Sequence, residues 1–150
     1  IIALDISKPA LVEAKKIPQV DKVVQGNILH LKLKSNSIDG IWNVGVMEHF
    51  NEKEIIKILS EFERTIKPGS YIILFWPPIY GSTILFFGFI ELFVNIFQKK
   101  KFHFFPNEPT RFRSEAQLKD MLSKTKLRLI ETNFSYHDGF THIAVVCQKP

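Results

Sequence analysis

Chemistry-bearing side chains collect where short apolar runs of this chain end. Asp5 closes Ile1-Ile2-Ala3-Leu4, Gly26-Asn27-Ile28 follows Lys22–Gln25, and Asn43, Glu48 and His49 gather where Gly40-Ile41-Trp42 gives out. Each run reads as a brief buried strand, and ligands of an open α/β sheet sit outside the carboxyl ends of its strands. An acid so placed, Asp5 with Ile6 beside it, can accept hydrogen bonds from ribose hydroxyls; the plainer reading is a cap for the next helix. The amide of Asn27 can bond a base edge while Ile28 packs on the base face, against the plainer reading of a turn-forming Gly-Asn. Histidine suits general-base work near neutral pH, which makes His49 a candidate, although a loop histidine more often only packs or binds backbone. Glu48 reads as part of a helix start.

Composition narrows the classes. The 150 residues, 45% hydrophobic, suit one domain with one core, taken as 1–150. A lone Cys147 leaves no intramolecular disulfide or cysteine-based zinc site and points to a reducing, cytoplasmic compartment. The net charge of +5 is first a solvated surface and second an attraction to an anionic ligand or membrane; no nucleic-acid partner is expected. There is no metal-ligand cluster, nucleophile elbow or P-loop. The opening residues lack a basic leader and a cleavage site, and they read as a strand with nothing before it, so an N-terminal piece is expected to be missing.

The elements that must position these groups follow in order. Residues 1–6 form a strand, Ser7 caps a helix with Pro9 in its first turn, and Pro18 closes it. Residues 22–25 and 40–44 are strands separated by a polar, irregular stretch at 30–37. Asn51 and Glu54 make a capping-box-like start to a helix over 52–66, with Ile55, Ile58, Leu59, Phe62 and Ile66 as its apolar stripe. Lys67-Pro68-Gly69 stops that helix before a strand over 71–76. Ser114 opens a further helix with Leu118, Met121 and Leu122 inward, and 127–134 and 140–147 pair as an antiparallel hairpin around His137-Asp138-Gly139. The alternation predicts an α/β fold, a Rossmann-like, mostly parallel sheet with helices on both faces and a terminal antiparallel hairpin, N-terminally incomplete.

In that order and spacing the motifs resemble class I S-adenosylmethionine-dependent methyltransferases, in particular the small-molecule group called type 11. Ala3-Leu4-Asp5-Ile6-Ser7 resembles the ribose-binding strand and Gly26-Asn27-Ile28 the adenine-contacting turn. Ser37 to Trp42 with Val46-Met47-Glu48-His49 resembles the fourth strand and the "LEH" stretch, and Ile66-Lys67-Pro68-Gly69-Ser70 the "LKPGG" turn. The resemblance implies that Asp5 and Ile6 serve the ribose and Asn27 and Ile28 the adenine. Asn43 would lie near the sulfonium end, with His49 a base if the acceptor is a hydroxyl. The family's first strand and Gly-rich turn have no counterpart here, and Asn27 stands where Asp is usual. Without that central strand, either the 1–6 and 40–44 strands pair directly or the sheet carries a gap, and cofactor affinity of this chain should be poor. A dinucleotide-dependent oxidoreductase is the rival within nucleotide binding; the terminal hairpin and Glu48-His49 argue against it.

Residues 79–98 are greasy, from Ile84 to Phe97 with only Glu91 and Asn95 strongly polar, and Lys99-Lys100-Lys101 follows. A membrane span is disfavoured, because a chain that crossed once could not return to finish its sheet. The segment, or the whole insertion 79–108, reads as a lid buried against the domain, its aromatics lining an apolar pocket, or as a peripheral membrane contact through 79–101. The expected function is methyl transfer from S-adenosyl-L-methionine to a small apolar, aromatic or lipid-like acceptor. The alternative is a non-catalytic interaction or membrane-associated module on the same scaffold.

Overall fold

Ile2–Asp5 (β1), Lys8–Ala14 (α1) and Lys22–Gln25 (β2) make the first βαβ unit of the computed structural model, which describes residues 1–97, 102–104, 108–136 and 139–150. Its strands are parallel, with Ile2 opposite Lys22 and Asp5 opposite Gln25. The Ser7 hydroxyl accepts the Ala10 amide at 3.4 Å and so caps α1 as expected. The helix stops at Ala14, short of Pro18; Leu11 is its buried residue, and Ile17 beyond it is half exposed.

The second unit is Ile38–Val44 (β3), Glu52–Thr65 (α2) and Ile66–Trp76 (β4). The capping box closes α2 reciprocally: the Glu54 amide donates to Asn51 at 3.1 Å and the Asn51 amide to Glu54 at 2.9 Å. Ile55, Ile58, Leu59, Phe62 and Ile66 are all buried, the face that their spacing selected. One boundary differs from expectation. The strand begins at Ile66 rather than Tyr71, because Ile66 already pairs with Ile38. Gly69, at φ +80°, then makes the turn inside the strand while its amide donates to the Lys149 carbonyl.

After Ser82–Phe97 (α3) and Glu115–Leu122 (α4), the chain ends in Arg128–Phe134 (β5) and Ile143–Gln148 (β6). β6 runs antiparallel to both β4 and β5, giving a four-stranded sheet in the order β3-β4-β6-β5. The hairpin expectation holds; His137 and Asp138 lie outside the described residues. Among the described residues β1 pairs only with β2, and β3 only with β4. Of the two alternatives the sequence left, the gap is the one that occurs.

α2 and α4 cover one face of the larger sheet, burying Ile72, Leu74, Trp76, Val145 and Cys147 against Leu59, Phe62, Leu118 and Met121. Because side chains alternate along a strand, the other face carries Trp42, Val44 and Tyr71, which are 64%, 50% and 47% exposed. α1 packs on β1 and β2. α3 buries none of its residues, so it is not a lid packed into the domain. Among the described residues no helix is long and apolar enough to cross a membrane.

One side chain organises the irregular stretch before β3. Arg64 donates to the Leu31 and Leu33 carbonyls, each at 2.8 Å, while its Nε and Nη2 grip Glu61, whose other bond is from the Leu31 amide. Replacing Arg64 by Ala should cost about 2 kcal/mol, the usual range for bonds to a charged group. The readout is a lowered urea midpoint. Arg64→Lys should not restore it, since an ammonium cannot reproduce the planar fork.

Candidate functional site

The register of β1 and β2 brings Asp5 and Gln25 side by side at the carboxyl ends of both strands, with Gly26 and Asn27 directly beyond. The Gly26 amide donates to the Asp5 carbonyl at 3.0 Å, and Gln25 reaches across to the Ile6 carbonyl at 3.1 Å. Of the plainer readings, the Gly-Asn turn is present, whereas Ser7 and not Asp5 caps α1, and Asp5 ends its strand. The Asp5 carboxylate accepts the Ser7 amide at 2.7 Å, and the Asn27 carbonyl oxygen accepts the Leu29 amide at 2.9 Å. These bonds orient the two side chains and use one oxygen of each. What remains is a second carboxylate oxygen, an acceptor, and an amide NH2, a donor. Ile6 is 68% exposed beside Asp5, and Ile28 is half-buried against the core.

The other strand ends hold a different kind of group. Asn43 turns its amide to the Met47 sulfur at 3.7 Å, leaving its buried Oδ1 without a hydrogen bond. Gly45, at φ +65°, lets the chain double back; a Cβ there would meet Glu48 Oε1 at 3.3 Å. The backbone then makes one 3-10 turn, Met47–His49, which buries Met47 and Glu48 and puts His49 outside. Glu48 is 5% exposed, and among the described residues its Oε2 has no hydrogen-bond partner. Trp76, at the end of β4 and edge-on to Phe112, has a buried Nε1 in the same condition. Unsatisfied buried groups are uncommon and costly, and all of these lie at the end of the parallel strands where ligands bind.

Burial pushes the Glu48 carboxyl above the usual glutamate range. Its own amide opposes the rise, as do His49 and His142, whereas Glu108 adds to it. Sequence reasoning took Glu48 for a helix-start residue. A carboxylate is rarely buried, and nothing in Val46-Met47-Glu48-His49 signals that the turn folds it inward. At the far end of the core, burial pushes the Cys147 thiol up to about 12, so it is no nucleophile at neutral pH.

The structure thus joins Asp5, Ile6, Asn27 and Ile28 at one pair of strand ends, and Asn43, Glu48 and His49 at the end of β3. Two open depressions lie elsewhere, one lined by Ser123, Thr125, Lys126 and Leu127, the other by Asn51, Lys53, Arg113 and Gln117.

Residues 1–74 match the family model described as "Methyltransferase domain". No curated protein matches the chain. Among solved structures it is similar to a SAM-dependent methyltransferase from Methanosarcina mazei, with TM-score 0.69 and 16% identity over 99% of this chain and 81% of that one. A SAM-dependent methyltransferase from Thermotoga maritima, described as a possible histamine N-methyltransferase, gives 0.66 and 20% over 99% and 72%. Magnesium protoporphyrin IX methyltransferase from Synechocystis, with SAH bound, gives 0.67 and 15% over 99% and 63%. At these identities the likeness carries the fold, and the family model that matches residues 1–74 is of the kind that the motifs resemble.

The raised Glu48 acid has a consequence with a definite sign. A carboxyl whose folded pKa lies above its unfolded value stabilises the fold fully below the unfolded value and loses that contribution as pH rises through the folded one. Glu48→Gln should therefore raise the urea midpoint at neutral pH. The gain should shrink as pH falls toward the ordinary glutamate value of 4.5. An equal gain at both ends of that range would contradict the assignment.

Proposed function

We propose, on the premise that this chain is a class I S-adenosylmethionine-dependent methyltransferase domain, that it binds S-adenosylmethionine at the β1 and β2 ends. The acceptor is small and apolar, aromatic or lipid-like. The observation that carries the cofactor assignment is the pairing of leftover chemistry there: a carboxylate acceptor on Asp5 and an amide donor on Asn27, each already oriented by a local backbone bond. Ribose hydroxyls donate and purine ring nitrogens accept, so the donor set suits an adenosine. Ile6 and Ile28 supply apolar surface for its carbon faces.

The bound cofactor supplies an activated methyl group. This chain's residues supply binding and orientation, which account for much of the rate in such a displacement. Asn43 and the orphaned Glu48 oxygen stand at the end of β3, toward the reacting end of the ligand in the family's arrangement. Exposed His49 would take a proton where the acceptor is a hydroxyl. The greasy α3 favours an apolar acceptor over a charged one.

A second reading keeps the scaffold without the chemistry, as an interaction module. The break between β1 and β3 favours it, because it leaves the two groups of strand-end residues on separate sheets. Calorimetric titration with S-adenosylhomocysteine separates the two readings. The first expects binding that weakens about tenfold, or about 1.4 kcal/mol, in Asp5→Ala and again in Asn27→Ala. Absence of binding by the natural protein would favour the module, and binding indifferent to both substitutions would displace the cradle from this site.

A further inference from the structure

α3 is built inside out. Its polar side chains face the protein: the Asn95 amide brackets the Phe102 backbone, donating to its carbonyl at 3.0 Å and accepting its N–H at 2.7 Å, and Glu91 pairs with His103. Phe87 stacks on Phe104 from the same side at 4.8 Å. The outward stripe at helical spacing is Phe86, Phe89, Leu92, Phe93, Ile96 and Phe97, each between 59% and 76% exposed. A solvated surface helix shows the reverse pattern, with its charges out and its apolar stripe in. Apolar surface facing water is unfavourable in proportion to its area, so such a stripe calls for a cover.

We infer that α3 is a membrane-docking helix whose aromatic stripe lies in the interface of an anionic bilayer. Sixteen residues span about 24 Å, too short to cross with ease, while an apolar stripe of this kind suits lying in the interface plane. The sequence chooses the occupant. It continues from the helix into Lys99-Lys100-Lys101, and the whole chain carries +5, so anionic headgroups complement the charge that follows the apolar segment in sequence. A second copy would bring the same positive charge to the contact. The inference is independent of the methyltransferase reading and stands or falls on lipid binding alone.

Flotation with vesicles tests it. The protein should float with phosphatidylcholine vesicles containing about 30% phosphatidylserine and much less with phosphatidylcholine alone. The bound fraction should fall several-fold between about 0.1 M and about 0.5 M salt. Phe86→Ser with Phe89→Ser and Phe93→Ser should abolish flotation and leave the urea midpoint unchanged, because these residues lie outside the core. Replacing Lys99, Lys100 and Lys101 by Gln should remove the preference for anionic lipid. No flotation with either vesicle would overturn the inference, as would flotation indifferent to the serine substitutions. Dimers in sedimentation that need the stripe, without vesicle binding, would assign it to a second copy instead.

Discussion

The unpaired edges of β1 and β3 constrain everything else in this fold. Among the described residues each of these two strands has a partner on one side only, so a row of backbone donors and acceptors on each must find other company, and no ladder joins the two sheets. They are joined instead by side chains: Leu4, Ile28, Leu29 and Leu33 pack onto the core of the larger sheet, and Arg64 fastens the 31–33 backbone to α2. The relative placement of the two groups of strand-end residues therefore depends on a loop and its guanidinium staple. The exposed Trp42, Val44 and Tyr71 belong to the same circumstance, since a parallel sheet is normally covered on both faces.

That constraint also explains how polarity is distributed at the site. Asp5 and Asn27 are exposed and locally bonded, a stable arrangement needing no ligand. Asn43 is half-buried and Glu48 and Trp76 are buried, each with one buried polar atom that has no hydrogen bond among the described residues. The first group can select a ligand at little cost to the fold. The second carries the desolvation cost of unsatisfied polar atoms, which the packing of α2, β3 and β4 offsets.

Much of this was legible in the sequence because local signals and burial agree. Asn51 and Glu54 marked the start of α2, and the spacing of Ile55, Ile58, Leu59 and Phe62 marked its buried face. Ser114 with Leu118, Met121 and Leu122 did the same for α4. The strand-end positions of Asp5, Asn27 and Asn43 followed from the runs preceding them. What was illegible depends on tertiary context. Glu48 is buried by a turn whose sense is set by Gly45, not by any periodicity. β4 starts five residues early because Ile38 waits beside Ile66, a contact that Lys67-Pro68-Gly69 conceals. α3 could be read as greasy, but which of its sides faces out is decided by Phe102 and Phe104.

The central claim is that adenosine is held at the β1 and β2 ends. Its most direct test is amide chemical-shift mapping of the isotope-labelled protein with S-adenosylhomocysteine. The account predicts that saturable shifts concentrate at Asp5, Ile6, Asn27 and Ile28 and extend to Asn43. Shifts that spare these amides and gather instead around Arg113 and Gln117, or that never saturate, would contradict it.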